Sequence, residues 1–346
     1  MDRHSFDRNR QVGFGIIGLG FGLSRCEMIR QVPEAKLVAV ASLHADKARA
    51  AGARFGVDGY ADYRELISRA DIDVVGIYTP SGMHLEIALD AARAGKHILT
   101  TKPMEITRER ADQLVAACED AGVKLSTEFA NRYAPSNYAL YTAVRHGKFG
   151  KLVLGEFSFK CYRDQAYYES NGGWRGTWKY DGGGAIMNQS IHAVDQMLWL
   201  MGDAATVTAN WGTYTHRIET EDTATALITF KNGALGVLVG TTTFHNDRPF
   251  KQYGGGVTQR VEINGAFGSV TLVDNKNILW KFVHDPDLPS EIQPPSINIF
   301  QDYARWVLDD DYHSPTLPGA RESVKTLEMV LAIYESARTG KPVTLA

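Results

Sequence analysis

Val12-Gly13-Phe14-Gly15-Ile16-Ile17-Gly18-Leu19-Gly20-Phe21-Gly22 is a short apolar run that enters a glycine-rich turn. Residues 24–31 follow with a helical pattern, and Lys36-Leu37-Val38-Ala39-Val40-Ala41 reads as a second buried strand. Strand, glycine turn, helix and strand within about 30 residues is the context that turns a glycine pattern into a dinucleotide-binding site. Gly18 and Gly20 permit the tight turn and a close backbone approach, Phe21 and Gly22 complete the turn, and the helix start offers N–H groups to a pyrophosphate. Leu23 holds the place of the third glycine of G-x-G-x-x-G.

Outward from that stretch the alternation continues. Strands are expected at residues 73–78, 97–99 and 123–126, with helices at 45–55, 83–94 and 108–121, so a mostly parallel, doubly wound sheet follows. Ligands of such sheets lie beyond the carboxyl ends of the strands. There stand Thr79, Ser81 and His84 after one strand and Lys102, followed by Pro103, after the next. Thr79 and Ser81 are expected to hydrogen-bond cofactor; His84 either joins them or caps the following helix, for which Ser81 is better placed. The second strand ends in Ser42, Leu43 and His44 without the acid that marks a NAD site. Ser42 and His44, with Lys47 or Arg49 behind, suit a 2′-phosphate, so the lean is to NADP. Lys47 and Arg49 also fit the plain solvated face of a helix.

The chain of 346 residues suits two domains, and its net charge of -3 gives no basic footprint for nucleic acid or an anionic membrane. Three scattered cysteines suit a reducing compartment and offer no metal-binding pair; no metal site is expected. No run of 18 or more apolar residues suggests a membrane span. Residues 1–10 read as a flexible tail without a secretion signal, which implies a cytoplasmic protein.

Near residue 131 the periodicity changes. A helix at 138–146 precedes strands at 151–161, 204–211, 223–231, 234–243, 257–264 and 269–273, with Asn232-Gly233 as a hairpin turn. Amphipathic helices follow at 298–308 and 321–339. The expected organisation is a Rossmann domain over 11–130 and an α+β domain with a large, mostly antiparallel open sheet over 131–346, self-associating as a dimer or tetramer through that sheet. Glu219, Glu221 and Asp222 read as surface carboxylates. Between residues 162 and 179 aromatics and arginines crowd an irregular segment; aromatic faces stack on sugar rings and arginine forks hold phosphate or carboxylate. Arg163, Tyr168, Arg175 and Trp178 are therefore candidate substrate-binding residues.

The stretch Asp181-Gly182-Gly183-Gly184-Ala185-Ile186-Met187-Asn188-Gln189-Ser190-Ile191-His192-Ala193-Val194-Asp195 reads as a glycine-freed entry into a helix. Asn188, His192 and Asp195 would share one face, and a carboxylate one turn from a histidine orients a general acid/base.

Gly15-Ile16-Ile17-Gly18-Leu19-Gly20, Thr79-Pro80-Ser81 with His84, Ala94-Gly95-Lys96-His97 leading to Lys102-Pro103, Asn131-Arg132, Trp174-Arg175-Gly176-Thr177-Trp178, the 181–195 stretch and Gly265-Ala266-Phe267-Gly268 together resemble the glucose-fructose oxidoreductase, inositol dehydrogenase and rhizopine-catabolism (Gfo/Idh/MocA) family. The resemblance implies a nicotinamide cofactor and hydride transfer at a ring carbon of a sugar, cyclitol or sugar derivative, with Lys102 near the nicotinamide. Thr101 and Asn188 stand where the family carries acids. The wording around 174–192 looks more like the branch that includes nucleotide-sugar 3-dehydrogenases and related sugar dehydrogenases. His192 is then expected to take the hydroxyl proton, Lys102 to stabilise the oxygen, Asn188 to position the substrate and Asp195 to orient the imidazole. A redox-assisted glycosidase and a non-catalytic dinucleotide-binding regulator remain alternatives.

Overall fold

The computed structural model describes residues 10–246 and 256–345. The tail expected at residues 1–10 lies outside them except for Arg10. Contacts divide the chain into two units, one comprising the chain through Glu105 with Glu109–Phe129 and Pro295–Ser323, the other Ile106–Arg108, Ala130–Pro294 and the chain from Val324 on.

The first unit carries β1 (Val12–Ile17), α1 (Gly22–Ile29), β2 (Ala35–Ala41), α2 (Ala45–Phe55), β3 (Asp58–Tyr60), α3 (Tyr63–Ile67), β4 (Val74–Ile77), α4 (His84–Arg93), β5 (His97–Thr101), α5 (Arg108–Ala121) and β6 (Leu125–Glu128). The six strands are all parallel in the order β3-β2-β1-β4-β5-β6, and the order reverses between β1 and β4. All of β1 is buried, as a strand covered on both faces must be. Gly15 leaves room there for Leu66 of α3, which a Cβ would meet at 2.5 Å. Elements begin and end on local chemistry: the Asp62 side chain caps α3 by accepting from Arg64 N, and Gly56 closes α2 in the left-handed region at φ 70°.

The second unit carries α6 (Pro135–Arg145), β7 (Leu152–Lys160), α7 (Gln165–Glu169), α8 (Ile191–Met201), β8 (Ala204–Gly212), β9 (Thr223–Phe230), β10 (Leu235–Thr241), β11 (Thr258–Gly265), β12 (Gly268–Val273) and β13 (Lys276–Phe282). Its eight-stranded sheet runs β13-β12-β11-β7-β10-β9-β8-β14, where β14 is Val343–Thr344. Every pair is antiparallel except β7 with β10. That parallel pair requires a long crossover, and the crossover contains the functional stretch and α8. On β9, Ala224, Ala226, Ile228 and Phe230 are buried while Leu227 on the opposite face is 63% exposed.

Residues 131–346 were expected to form one domain. The chain instead returns to the first unit at Pro295–Ser323, with α9 (Ile299–Leu308) packing Phe300 edge-on against Phe14 of β1 at 5.6 Å. The Tyr303 hydroxyl lies within hydrogen-bond reach of the carbonyls of both Ile98, at 2.8 Å, and Lys124, at 2.7 Å. An apolar helical stripe shows that a helix is covered, not by which sheet. The last helix, α10, spans Ala320–Thr339. Among the described residues no helix is long and apolar enough to cross a membrane, and Cys26, Cys118 and Cys161 are buried free thiols.

Candidate functional site

In the first unit the glycine turn follows β1. Gly18 has φ 95°, and a Cβ there would stand 2.5 Å from the Tyr78 carbonyl. Gly22 packs against Ile16 and Tyr78, whereas the space a Cβ would take at Gly20 is open to 4 Å. No side chain caps α1 at Phe21, so its first N–H groups remain for a ligand. At the neighbouring strand end Thr79 Oγ1 is buried without a hydrogen-bond partner. A bare backbone approach, an uncapped helix start and an orphan hydroxyl fit a pyrophosphate and ribose. Ser81 is buried at the start of a short 3-10 turn that leads into α4, and neither Ser81 nor His84 caps that helix. Ser42 accepts from His44 N at 3.3 Å; His44 and Lys47 are exposed beside it, and Arg49 pairs with Asp46 on the same helix.

His84 is not placed for a ligand. It is fully buried, with Nδ1 3.1 Å from the Met104 carbonyl and Nε2 3.2 Å from the Thr79 carbonyl, and burial holds its pKa below the usual imidazole value. The ring pins the Thr79 turn to the loop after Lys102. Glu105, which carried no sequence signal, fixes the same loop: its buried carboxylate accepts from Leu85 N at 3.0 Å and from Arg110 Nε and Nη2, each at 2.9 Å. Lys102 is half-buried at the start of this anchored loop, and its peptide bond to Pro103 is cis.

In the second unit the three glycines serve close packing. A Cβ on Gly182, which has φ 73°, would meet Ile106 at 2.5 Å; one on Gly183 would meet the Tyr334 hydroxyl and one on Gly184 the Glu221 carbonyl. The freed backbone then forms a π-helical turn, Ala185–Ser190, before α8 begins. A single α-helical face through Asn188, His192 and Asp195 was expected; the π turn changes the register between Asn188 and the rest.

Glu221 organises that turn. Contrary to the expectation of surface carboxylates, Glu221 and Asp222 are fully buried, and only Glu219 is exposed. Glu221 accepts from Gly184 N at 3.0 Å, Ile186 N at 2.7 Å and the Tyr334 hydroxyl at 3.0 Å, and burial pushes its pKa up to about 7. Asp222 gathers Tyr214 N, Thr215 N and His216 Nδ1. The signal available in sequence was the glycine run itself, whose exposed N–H groups required buried acceptors.

Asn188 donates through Nδ2 to Asp181 Oδ1 at 2.7 Å, while Asp181 Oδ2 accepts from Gly176 N at 2.9 Å. An ionised carboxylate only accepts, so the pairing turns the Asn188 amino group toward Asp181 and its carbonyl away. His192 is half-buried in the first turn of α8, its ring 6.0 Å from that of Phe159. The carboxylate expected to orient it also forms an ion pair. Asp195 accepts a two-pronged fork from Arg132, with Nε at 2.9 Å and Nη2 at 2.6 Å, and both residues are buried.

Arg163 and Arg175 flank one ring, with guanidinium carbons 5.3 and 4.6 Å from the centroid of Tyr167. The Tyr167 hydroxyl accepts from Gln189, which also donates to Asn188 Oδ1. Tyr167 and Gln189 thus belong to the site although sequence reading singled out Tyr168. That tyrosine is a core residue, buried with its hydroxyl 2.8 Å from Thr242 Oγ1. Trp178 is exposed and packs edge-on against Tyr334 at 5.5 Å.

Residues 12–129 match the model described as "Oxidoreductase family, NAD-binding Rossmann fold", and residues 139–271 match the GFO/IDH/MocA C-terminal domain. The chain belongs to the GFO/IDH/MocA oxidoreductase family. It is 28% identical to D-apiose dehydrogenase of Paraburkholderia graminis, over 95% of this chain and 88% of that protein. It is 27% identical to myo-inositol 2-dehydrogenase of Thermotoga maritima, over 74% of this chain and 73% of that one. Among solved structures, WlbA dehydrogenase from Bordetella pertussis, in complex with NADH and UDP-GlcNAcA, superposes with TM-score 0.85 at 29% identity, covering 97% of this chain and 99% of that one. This GFO/IDH/MocA member is accordingly an oxidoreductase with an NAD-binding Rossmann fold.

Proposed function

We propose that the enzyme exchanges hydride between a nicotinamide cofactor and a ring carbinol of an anionic sugar derivative. The observation that carries the reading is the built face around the glycine-rich turn of the second unit. A half-buried imidazole, an amide whose carbonyl is aimed by Asp181 and two arginines around Tyr167 lie on neighbouring segments. His192 takes the carbinol proton, Lys102 stabilises the oxygen as negative charge develops, and the Asn188 carbonyl accepts from a substrate hydroxyl. Arg163 and Arg175 hold phosphate or carboxylate and Trp178 offers an aromatic face to a ring. The nicotinamide supplies the hydride acceptor or donor when bound. The relative solved with UDP-GlcNAcA supports the anionic class.

Gly18, Gly20, Phe21, Gly22, Thr79 and Ser81 hold the cofactor. Ser42, His44 and Lys47, with no acid among them, favour NADP over NAD, and calorimetric titration decides: a lower Kd for NAD than for NADP refutes this preference. Turnover is tested by cofactor absorbance over a panel of sugars, uronic acids, nucleotide sugars and aryl glycosides. Release of a free sugar from the glycosides without net cofactor change overturns the dehydrogenase reading.

A further inference from the structure

Glu128 ends β6 and lies in register with Thr101, the residue before Lys102. It is 2% exposed, and its carboxylate is shared. Oε1 accepts from Arg25 Nη2 at 2.6 Å, and Oε2 accepts from Arg25 Nε at 3.1 Å and from the Tyr78 hydroxyl at 2.9 Å. Arg25 belongs to the first turn of α1, and its guanidinium carbon sits 3.7 Å from the ring centroid of Phe21, itself 55% exposed. One buried carboxylate therefore ties the glycine turn to the ends of β4 and β6.

The strand order says which end of the cofactor these residues serve. The glycine turn after β1 is at the reversal point and takes the pyrophosphate, and the end of β2 with Ser42 faces the adenosine ribose. The other nucleotide must then lie over the ends of β4, β5 and β6, where Tyr78, Lys102 and Glu128 stand. Its ring is cationic when oxidised and neutral when reduced, so any net charge fixed in this half discriminates between the two forms. Arg25 alone would oppose the oxidised form; paired with Glu128 it contributes a planar surface and hydrogen-bond donors without net charge.

We propose that Glu128 is a positioning residue that neutralises Arg25 and so balances the affinities of the enzyme for oxidised and reduced nicotinamide. This rests on the dinucleotide reading of the first unit. Calorimetry measures Kd for NAD⁺ and NADH, or for the phosphorylated pair where wild type binds that pair better, alongside thermal unfolding. Glu128→Gln should raise the ratio of oxidised to reduced Kd about tenfold, the scale of one charge acting through a partly buried site. Arg25→Gln should lower the ratio, and carries the test where Glu128→Gln fails to fold; the double variant should return it to within about threefold of wild type. A role in packing alone would weaken both forms alike. A ratio within about twofold of wild type in the single variants overturns the inference while leaving the dinucleotide reading intact. Wild-type protein that binds neither cofactor overturns both.

Discussion

Replacing Glu221 by glutamine should erase a pH dependence of stability that runs opposite to that of an ordinary paired carboxylate. The Glu221 carboxyl is pushed from 4.5 up to about 7, chiefly by burial, with backbone N–H groups and the Tyr334 hydroxyl pulling the other way. Because its pKa is higher in the folded than in the unfolded chain, the folded state holds the proton more tightly. The stability this provides is complete below about pH 4.5 and is lost as pH rises through about 7. Between pH 5 and pH 8 the loss comes to about 2–3 kcal/mol, since each pKa unit is worth a little over 1 kcal/mol. Glutamine fills the same space and does not titrate; its amide placed against Gly184 N adds a cost that is constant with pH. Urea titrations from pH 5 to pH 8, followed by the fluorescence of Trp178 and Trp211 beside Tyr334, compare the two proteins. The difference should move by about 2–3 kcal/mol in favour of Glu221→Gln across that range. A difference that stays constant with pH refutes the reasoning.

Two further predictions concern the second unit. Asp195→Ala leaves the buried Arg132 guanidinium without its fork and should cost about 3–5 kcal/mol, whereas Arg132→Met with Asp195→Leu should recover most of it; a single variant with unchanged urea midpoint contradicts this. The open face of the sheet presents Leu227 and Leu235, 63% and 56% exposed, and we propose that it is where copies of the chain associate. Leu227→Glu with Leu235→Glu should then give monomers in sedimentation, and an assembly that survives both changes places the contact elsewhere.

Most of the first unit was legible because parallel strands buried on both faces give unbroken apolar runs, and glycines at fixed offsets mark the turn. The doubly wound sheet and the mostly antiparallel second sheet both stand as read. What sequence could not give was partnership at a distance. Asp195 lies one turn from His192 along the chain, and nothing in the sequence shows that Arg132, 63 residues away, also forks its carboxylate. His84 looked like a ligand group because it follows a strand end, and only the fold shows that two carbonyls enclose it. Glu221 resembled a surface acid because its acceptor role depends on a glycine run, with Gly184 37 residues earlier, folding back on it. The π turn was hidden for the same reason, being held by those long-range bonds rather than by propensity.

The central proposal is that His192 and Lys102 are each needed for hydride exchange at a carbinol. Turnover of the true substrate by His192→Ala and Lys102→Ala, measured by cofactor absorbance in proteins that still bind cofactor, tests it most directly. Each variant should lose about 10²–10⁴-fold in kcat. Near wild-type turnover in either variant would contradict the account.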